Sequence, residues 1–196
     1  MNLLDRIDAA HERWNVLRHP FYTRWERGEL TRPELAFYAG EYRHAVVALA
    51  DAARAAGDAE HAREEAEHVG LWDAFAEALD APLDRQPTRE TSACAGAWAR
   101  ADRLEALAVL YAVELAQPAI SETKLRGLVE HYGFSPNDDG AEYFALHAER
   151  DKEHARAARA QLGDVPREHE GRLAVAAEEA LRANWLLLDG VERAAA

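Results

Sequence analysis

The sequence predicts an all-α, single-domain protein of seven to eight helices spanning residues 1–196. Three observations carry this prediction. Alanine, leucine, glutamate and arginine dominate, and all four lose little on entering a helix. The 7 prolines and 11 glycines fall in clusters, as helix punctuation would. Valine, isoleucine and threonine are too sparse for a sheet protein. With 48% hydrophobic and 30% charged residues over 196 positions, the chain can bury one sizeable core.

The first predicted helix runs from Leu3 to Leu17, with Leu3, Leu4, Ile7, Trp14 and Leu17 on its apolar face. His19-Pro20-Phe21-Tyr22 opens a short helix through Trp25, and Gly28 ends it. Thr31 with Glu34 three residues later forms a capping box for a long helix from Pro33 to Ala56, which carries Phe37, Tyr38 and Tyr42 and is closed by Gly57. Asp58 starts the next helix, through Leu79, with Glu67 as a candidate break point. The stretch 80–88 holds two prolines and reads as the longest loop. A weaker helix covers Thr91 to Arg100. A further helix, Leu104 to His131, should kink at Pro118. After a loop over 133–140, helices Ala141–Gln161 and Glu170–Glu192 complete the chain.

The net charge of −13 argues against a nucleic-acid surface, which needs a basic stripe, and against anionic membrane. One cysteine, Cys94, excludes a disulfide within the chain. The opening MNLLDRIDAAHERW has charges inside its apolar pattern, unlike a signal peptide, and no apolar run is long enough to span a bilayer. A cytoplasmic location is therefore expected.

Three places combine metal-ligating residue types. His147, Asp151 and His154 stand at i, i+4 and i+7, so at about 100° per residue they share one stripe of a helix. Two imidazoles and a carboxylate on one stripe suit a borderline divalent metal. Glu64 and Glu65 stand four and three residues before His68, and either pair can ligate from one helix. The surrounding HAREEAEH is charged throughout, so a wholly solvated face fits it equally well. Glu114 sits in the apolar window LEALAVLYAVELAQPAI, where a carboxylate is costly unless it is paired or metal-bound. A hydrogen bond to a buried tyrosine would also satisfy it. Together the three segments supply three carboxylates and three histidines. Two divalent irons against three carboxylates leave a nearly neutral site, as burial favours. Manganese accepts the same donors as iron.

The segments LYAVELAQPAISETKLRGLVEHYGF, YFALHAERDKEHARAA and HPFYTRWERGELTRPELAFYAGEY resemble the haem-oxygenase-like diiron oxidase superfamily. Within it they are similar to the CADD-like p-aminobenzoate synthases and, more loosely, to the TenA and PqqC families. The likeness spans about Leu3 to Gln161 and implies a haem-oxygenase-like helical bundle. It places metal ligands at Glu64, His68, Glu114, His147, Asp151 and His154, with Glu65 as the alternative to Glu64 because EEAEH is shorter than the family's usual stretch. It also implies an oxygen-dependent diiron oxidoreductase in which the protein gives up its own tyrosine and lysine to form p-aminobenzoate, a folate precursor. The matching positions are Tyr22 and Lys124, and Tyr38 and Tyr42 are expected to line the pocket or pack the core. Lys124 stands out independently: with Lys152 it is one of only two lysines in an arginine-rich chain. Expected partners are dioxygen and a self-derived or small external substrate, with a homodimer left open by analogy to the fold. Oxidation of an external acid or amine, or a metal-free TenA-like or PqqC-like activity, are the competing readings. Cys94 lies outside the Glu114 helix, which counts against thiaminase-like chemistry.

Overall fold

The structure, a computed structural model, describes residues 1–195, apart from the side chains of residues 152 and 195. Its helices are α1 (Leu3–Arg13), α2 (Pro20–Glu26), α3 (Arg32–Ala56), α4 (Ala59–Ala78), α5 (Arg89–Trp98), α6 (Arg103–Glu114), α7 (Gln117–His131), α8 (Asp139–Gly163) and α9 (Arg167–Ala195), with a 3₁₀ turn at Val16–Arg18. Among the described residues there are thus nine α-helices, more than the seven to eight predicted, and no strand.

Local chemistry accounts for most of the boundaries. α1 stops at Arg13, short of Leu17, because the Asn15 side chain accepts from the Leu17 backbone N–H and starts the 3₁₀ turn instead. The Thr31–Glu34 capping box opens α3 as expected, and Gly57 closes it in the left-handed conformation at φ +88°. α4 runs through Glu67 without a break. α5 begins at Arg89, earlier than predicted, because Thr88 caps it by accepting from the Thr91 N–H. The predicted kink at Pro118 is a full break: α6 ends at Glu114, α7 restarts at Gln117, and the two are bent by 41°. Pro118 then occupies the first turn of α7, where its missing N–H costs nothing.

α6 is the central helix. Every residue from Ala106 to Glu114 is buried, and α3, α8 and α9 pack around it. α4 lies against both α3 and α8, and α7 lies along α8. Three helices therefore converge on one region from different sides: α4, α6 and α8. At the other end, α2 packs on α7 without a spacer. A Cβ on Gly127 would stand 2.6 Å from the Trp25 indole, and Trp25 Nε1 donates to the Lys124 carbonyl at 3.1 Å. Among the described residues no single helix is long and apolar enough to cross a membrane; α6 and α7 reach that composition only as a bent pair.

Candidate metal centre

α4 and α8 each carry a histidine, a carboxylate four residues on, and a second histidine seven residues on: His61, Glu65, His68 and His147, Asp151, His154. The two sets face each other in reverse order. The His61 and His154 rings are 4.1 Å apart between centroids, and those of His68 and His147 are 4.4 Å apart. Glu114 enters from α6, where helix packing leaves it buried.

The donors form two overlapping groups. His61, Glu65, Glu114 and His154 each offer an atom within 4.8 Å of the others, and so do Glu65, His68 and His147. Glu65 is common to both. Its Oε1 lies 2.9 Å from His68 Nδ1 and 3.8 Å from His61 Nε2. His61 Nε2 is 2.9 Å from Glu114 Oε1. Glu64, on the neighbouring stripe of α4, falls in neither group and faces Arg150 and His154. Asp151 is buried between the two α8 histidines.

Unmet hydrogen bonding is concentrated here. Both oxygens of Glu114, both of Asp151, Oε2 of Glu64, and one nitrogen each of His61, His147 and His154 are buried without an aligned hydrogen bond, although His61 Nε2 and Glu114 Oε1 stand in ion-pair contact at 2.9 Å. Buried polar atoms are rarely left so. The electrostatics follow. Burial raises Glu114 to about 7. Burial, and then the charges of Glu114 and Glu65, raise Asp151 well above the usual carboxylate range. Burial, helped by the His68 charge, lowers His147 to about 4. Burial would lower His61, but its contacts with Glu114 and Glu65 carry it up to about 10. Burial opposes ionisation of Glu65 as well, yet His61 and His68 outweigh it and hold that carboxyl low. Protons held by acids and lone pairs exposed on imidazoles are what a divalent cation would replace and engage. The all-nitrogen-and-oxygen donor set fits iron or manganese.

Of the residues singled out in the sequence, His68, Glu114, His147 and His154 fall in the two donor groups, Glu65 belongs to both and Glu64 to neither, and Asp151, also in neither, is buried close enough to feel the charges of Glu114 and Glu65. His61 was missed. Its signal was available: HAREEAEH repeats the i, i+4, i+7 spacing of the α8 triplet. Tyr22, Tyr38, Tyr42 and Lys124 gather in a separate buried chamber. The Lys124 Nζ lies 4.7 Å from the Tyr42 ring centroid, 5.2 Å from Tyr38 and 5.6 Å from Tyr22, with Trp72 and Phe144 each at 5.3 Å. The Tyr22 and Tyr38 hydroxyls meet at 3.5 Å. Burial lowers Lys124 well below its usual range and raises Tyr22 and Tyr38. Tyr143 joins the two regions, stacking on His147 at 3.9 Å and meeting Trp72 edge-on at 4.9 Å. Cys94 is buried in α5, and burial pushes its thiol up, the reverse of an activated nucleophile.

A helical bundle with a carboxylate–histidine centre at its middle defines a class, and comparison with known proteins agrees. Residues 34–186 match the model of the iron-containing redox enzyme family, and the chain belongs to that family. It is an oxidoreductase with the haem-oxygenase-like fold. The chain is 33% identical to a 4-aminobenzoate synthase of Chlamydia muridarum, over 96% of this chain and 89% of that protein. It is 30% identical to a 4-aminobenzoate synthase of Nitrosomonas europaea, over 95% and 89%. Among solved structures, a haem-oxygenase-like domain from Shewanella denitrificans superposes with a TM-score of 0.78 at 19% identity, covering 98% of this chain and 93% of that one. A TenA homologue from P. horikoshii superposes with 0.76 at 18% identity, covering 98% and 99%. These two show the fold alone.

Proposed function

We propose that this protein is an oxygen-dependent 4-aminobenzoate synthase that draws its product from its own Tyr22 and Lys124 beside a pair of iron ions. The observation that carries this reading is the placement of Lys124, a buried amine whose Nζ is surrounded by Tyr22, Tyr38 and Tyr42. The name shared by the curated relatives supports it. In this reading His61, Glu114 and His154 would hold one ion and His68, His147 and Asp151 the other, with Glu65 a donor available to each group. Glu64 remains the alternative to Glu65 on α4. Iron held there would supply dioxygen activation, and manganese suits the same donors.

The chain's own residues set the conditions. The aromatic walls bury Lys124, which drives the amine toward its neutral form with an available lone pair. Tyr22 keeps its phenolic proton, donated or shared with the Tyr38 hydroxyl. Trp25, bonded to the Lys124 carbonyl, fixes α7 against α2 and so the lysine against the tyrosine. Protein labelled with ¹³C-tyrosine and ¹⁵N-lysine, loaded anaerobically with ferrous iron and then given oxygen, should release 4-aminobenzoate carrying both labels. Tyr22→Phe and Lys124→Arg should each abolish it. Unlabelled product, or product from either variant, would refute the self-derived origin.

A second reading has its own support. A pocket of about 600 Å³, lined in part by His61, Glu64, Arg150 and His154, opens from the centre to solvent. That volume suits a small external acid or amine. Repeated turnover on such a compound, with Tyr22 intact by mass spectrometry, would favour it.

A further inference from the structure

Glu64 stands beside the shared carboxylate without joining it. Its two oxygens reach two residues one turn apart on α8. Oε1 accepts from Arg150 Nη2 at 2.6 Å; Oε2, buried without an aligned hydrogen bond, lies in ion-pair contact 3.0 Å from His154 Nε2. The other nitrogen of His154, Nδ1, is buried without a hydrogen bond. The His147 ring has the opposite arrangement: its Nδ1 lies 2.6 Å from the Tyr143 carbonyl oxygen, which can only accept, and its Nε2 is the unbonded atom. A neutral imidazole carries one proton and one lone pair, so the partner of one nitrogen decides what the other presents.

We propose that Glu64 is a positioning residue that holds His154 through Nε2, so that His154 offers Nδ1 to the metal while His147, seven residues earlier on α8, offers Nε2. Arg150 aims the carboxylate and ties α4 to α8. Glu64 and Arg150 occupy equivalent places in the two repeats, each three residues after the first histidine, and meet across the helix pair. The half-site nearest the solvent pocket is thereby braced by a polar pair, where its counterpart is braced by a backbone carbonyl. Outer partners of this kind fix ring orientation and tautomer at metal sites.

The inference rests on the metal-centre reading above, and the experiment separates the two. Long-range ¹H–¹⁵N spectra of histidine-labelled, metal-free protein should show His154 as the Nε2–H tautomer, and Glu64→Ala should turn it into a mixture. In anaerobic manganese titrations, Glu64→Ala should weaken one of two ions by about 10–100-fold and leave the other unchanged. Glu64→Gln, which keeps an acceptor oxygen, should stay near wild type in both measurements. An Nδ1–H tautomer, or unchanged affinities in Glu64→Ala, would overturn the positioning role alone. Complete loss of one ion in both variants would make Glu64 a ligand and overturn it as well. A wild type that takes up no metal would overturn the underlying reading, and the inference with it.

Discussion

The centre between α4, α6 and α8 and the chamber around Lys124 face one physical problem with opposite signs. Each buries ionisable groups, the chamber fully and the centre with one side on the solvent pocket. In the chamber the group is a base, and the five aromatic rings around it do not compensate for lost hydration. Ring faces attract an ammonium, but desolvation is the cause that sets the direction, and Lys124 is driven toward its neutral form. In the centre the groups are acids and imidazoles with unbonded lone pairs. Glu114 and Asp151 rise toward protonation unless a cation arrives. Burial drives one region toward neutrality by loss of a proton, and the other would approach it by gaining a metal ion. In the proposed reading the comparison separates a place that would prepare a reactant from a place that would hold a cofactor, and Tyr143 joins the two regions through His147 and Trp72.

The largest expected effect breaks the centre and spares the chamber. Glu114→Ala removes the only α6 donor in the cluster, and His154→Ala removes an α8 imidazole. Both should lose bound iron while keeping a wild-type far-ultraviolet circular dichroism spectrum. Metal analysis after anaerobic loading tests this. Retention of two irons per chain in both variants would refute the ligand assignment.

The next effect runs the other way. Lys124 is charged in the unfolded chain below about pH 10.4, yet burial depresses its folded pKa. The unfolded state therefore binds the extra proton, and stability is lost as pH falls from above that value toward the folded pKa. Lys124→Met should remove this penalty and stabilise the protein at neutral pH by about 1–4 kcal/mol, the range seen when buried ionic groups give way to apolar ones. The gain should shrink toward zero by about pH 11, where both states are neutral. Urea unfolding at pH 7 and above pH 10 measures both numbers. A variant less stable than wild type at pH 7 would show that the amine is satisfied after all. Iron uptake should be unaffected, which keeps the two regions experimentally separate.

How far each region could be read from the sequence differs for the same reason. The helices were legible because caps and breakers act locally: the Thr31–Glu34 box and Gly57 bound α3 as expected. The α8 triplet was legible because helical spacing puts its residues on one stripe, and Glu114 because an acid among alanines, leucines and valines is costly unless paired, though a tyrosine partner suited it as well as a metal. His61 was hidden in a run of charges, where sequence alone does not say which face turns inward. Choosing between Glu64 and Glu65 needed the roll of α4 against α8, which long-range packing decides. Lys124 stood out by its rarity, but the chamber as a whole was legible only through resemblance. Its members come from α2, α3, α4, α7 and α8, and no local pattern links Tyr22 to a lysine about a hundred positions later.

The smallest expected effect concerns which chamber tyrosines do more than pack. The Tyr42 hydroxyl is near Gln117 and Asn184 but makes no well-aligned hydrogen bond, and its ring lies tilted over Trp72 at 5.1 Å. Removing a buried hydroxyl that lacks a partner leaves nothing newly unsatisfied, so Tyr42→Phe should change stability by less than about 1 kcal/mol. Tyr38→Phe differs, because its hydroxyl meets that of Tyr22. If both tyrosines only pack, both variants should form labelled product at the wild-type yield. If the Tyr38 hydroxyl handles the proton of Tyr22, Tyr38→Phe alone should slow product formation while Tyr42→Phe does not. Single-turnover yields of the two variants, measured side by side with equal iron, decide between a wall and a proton partner.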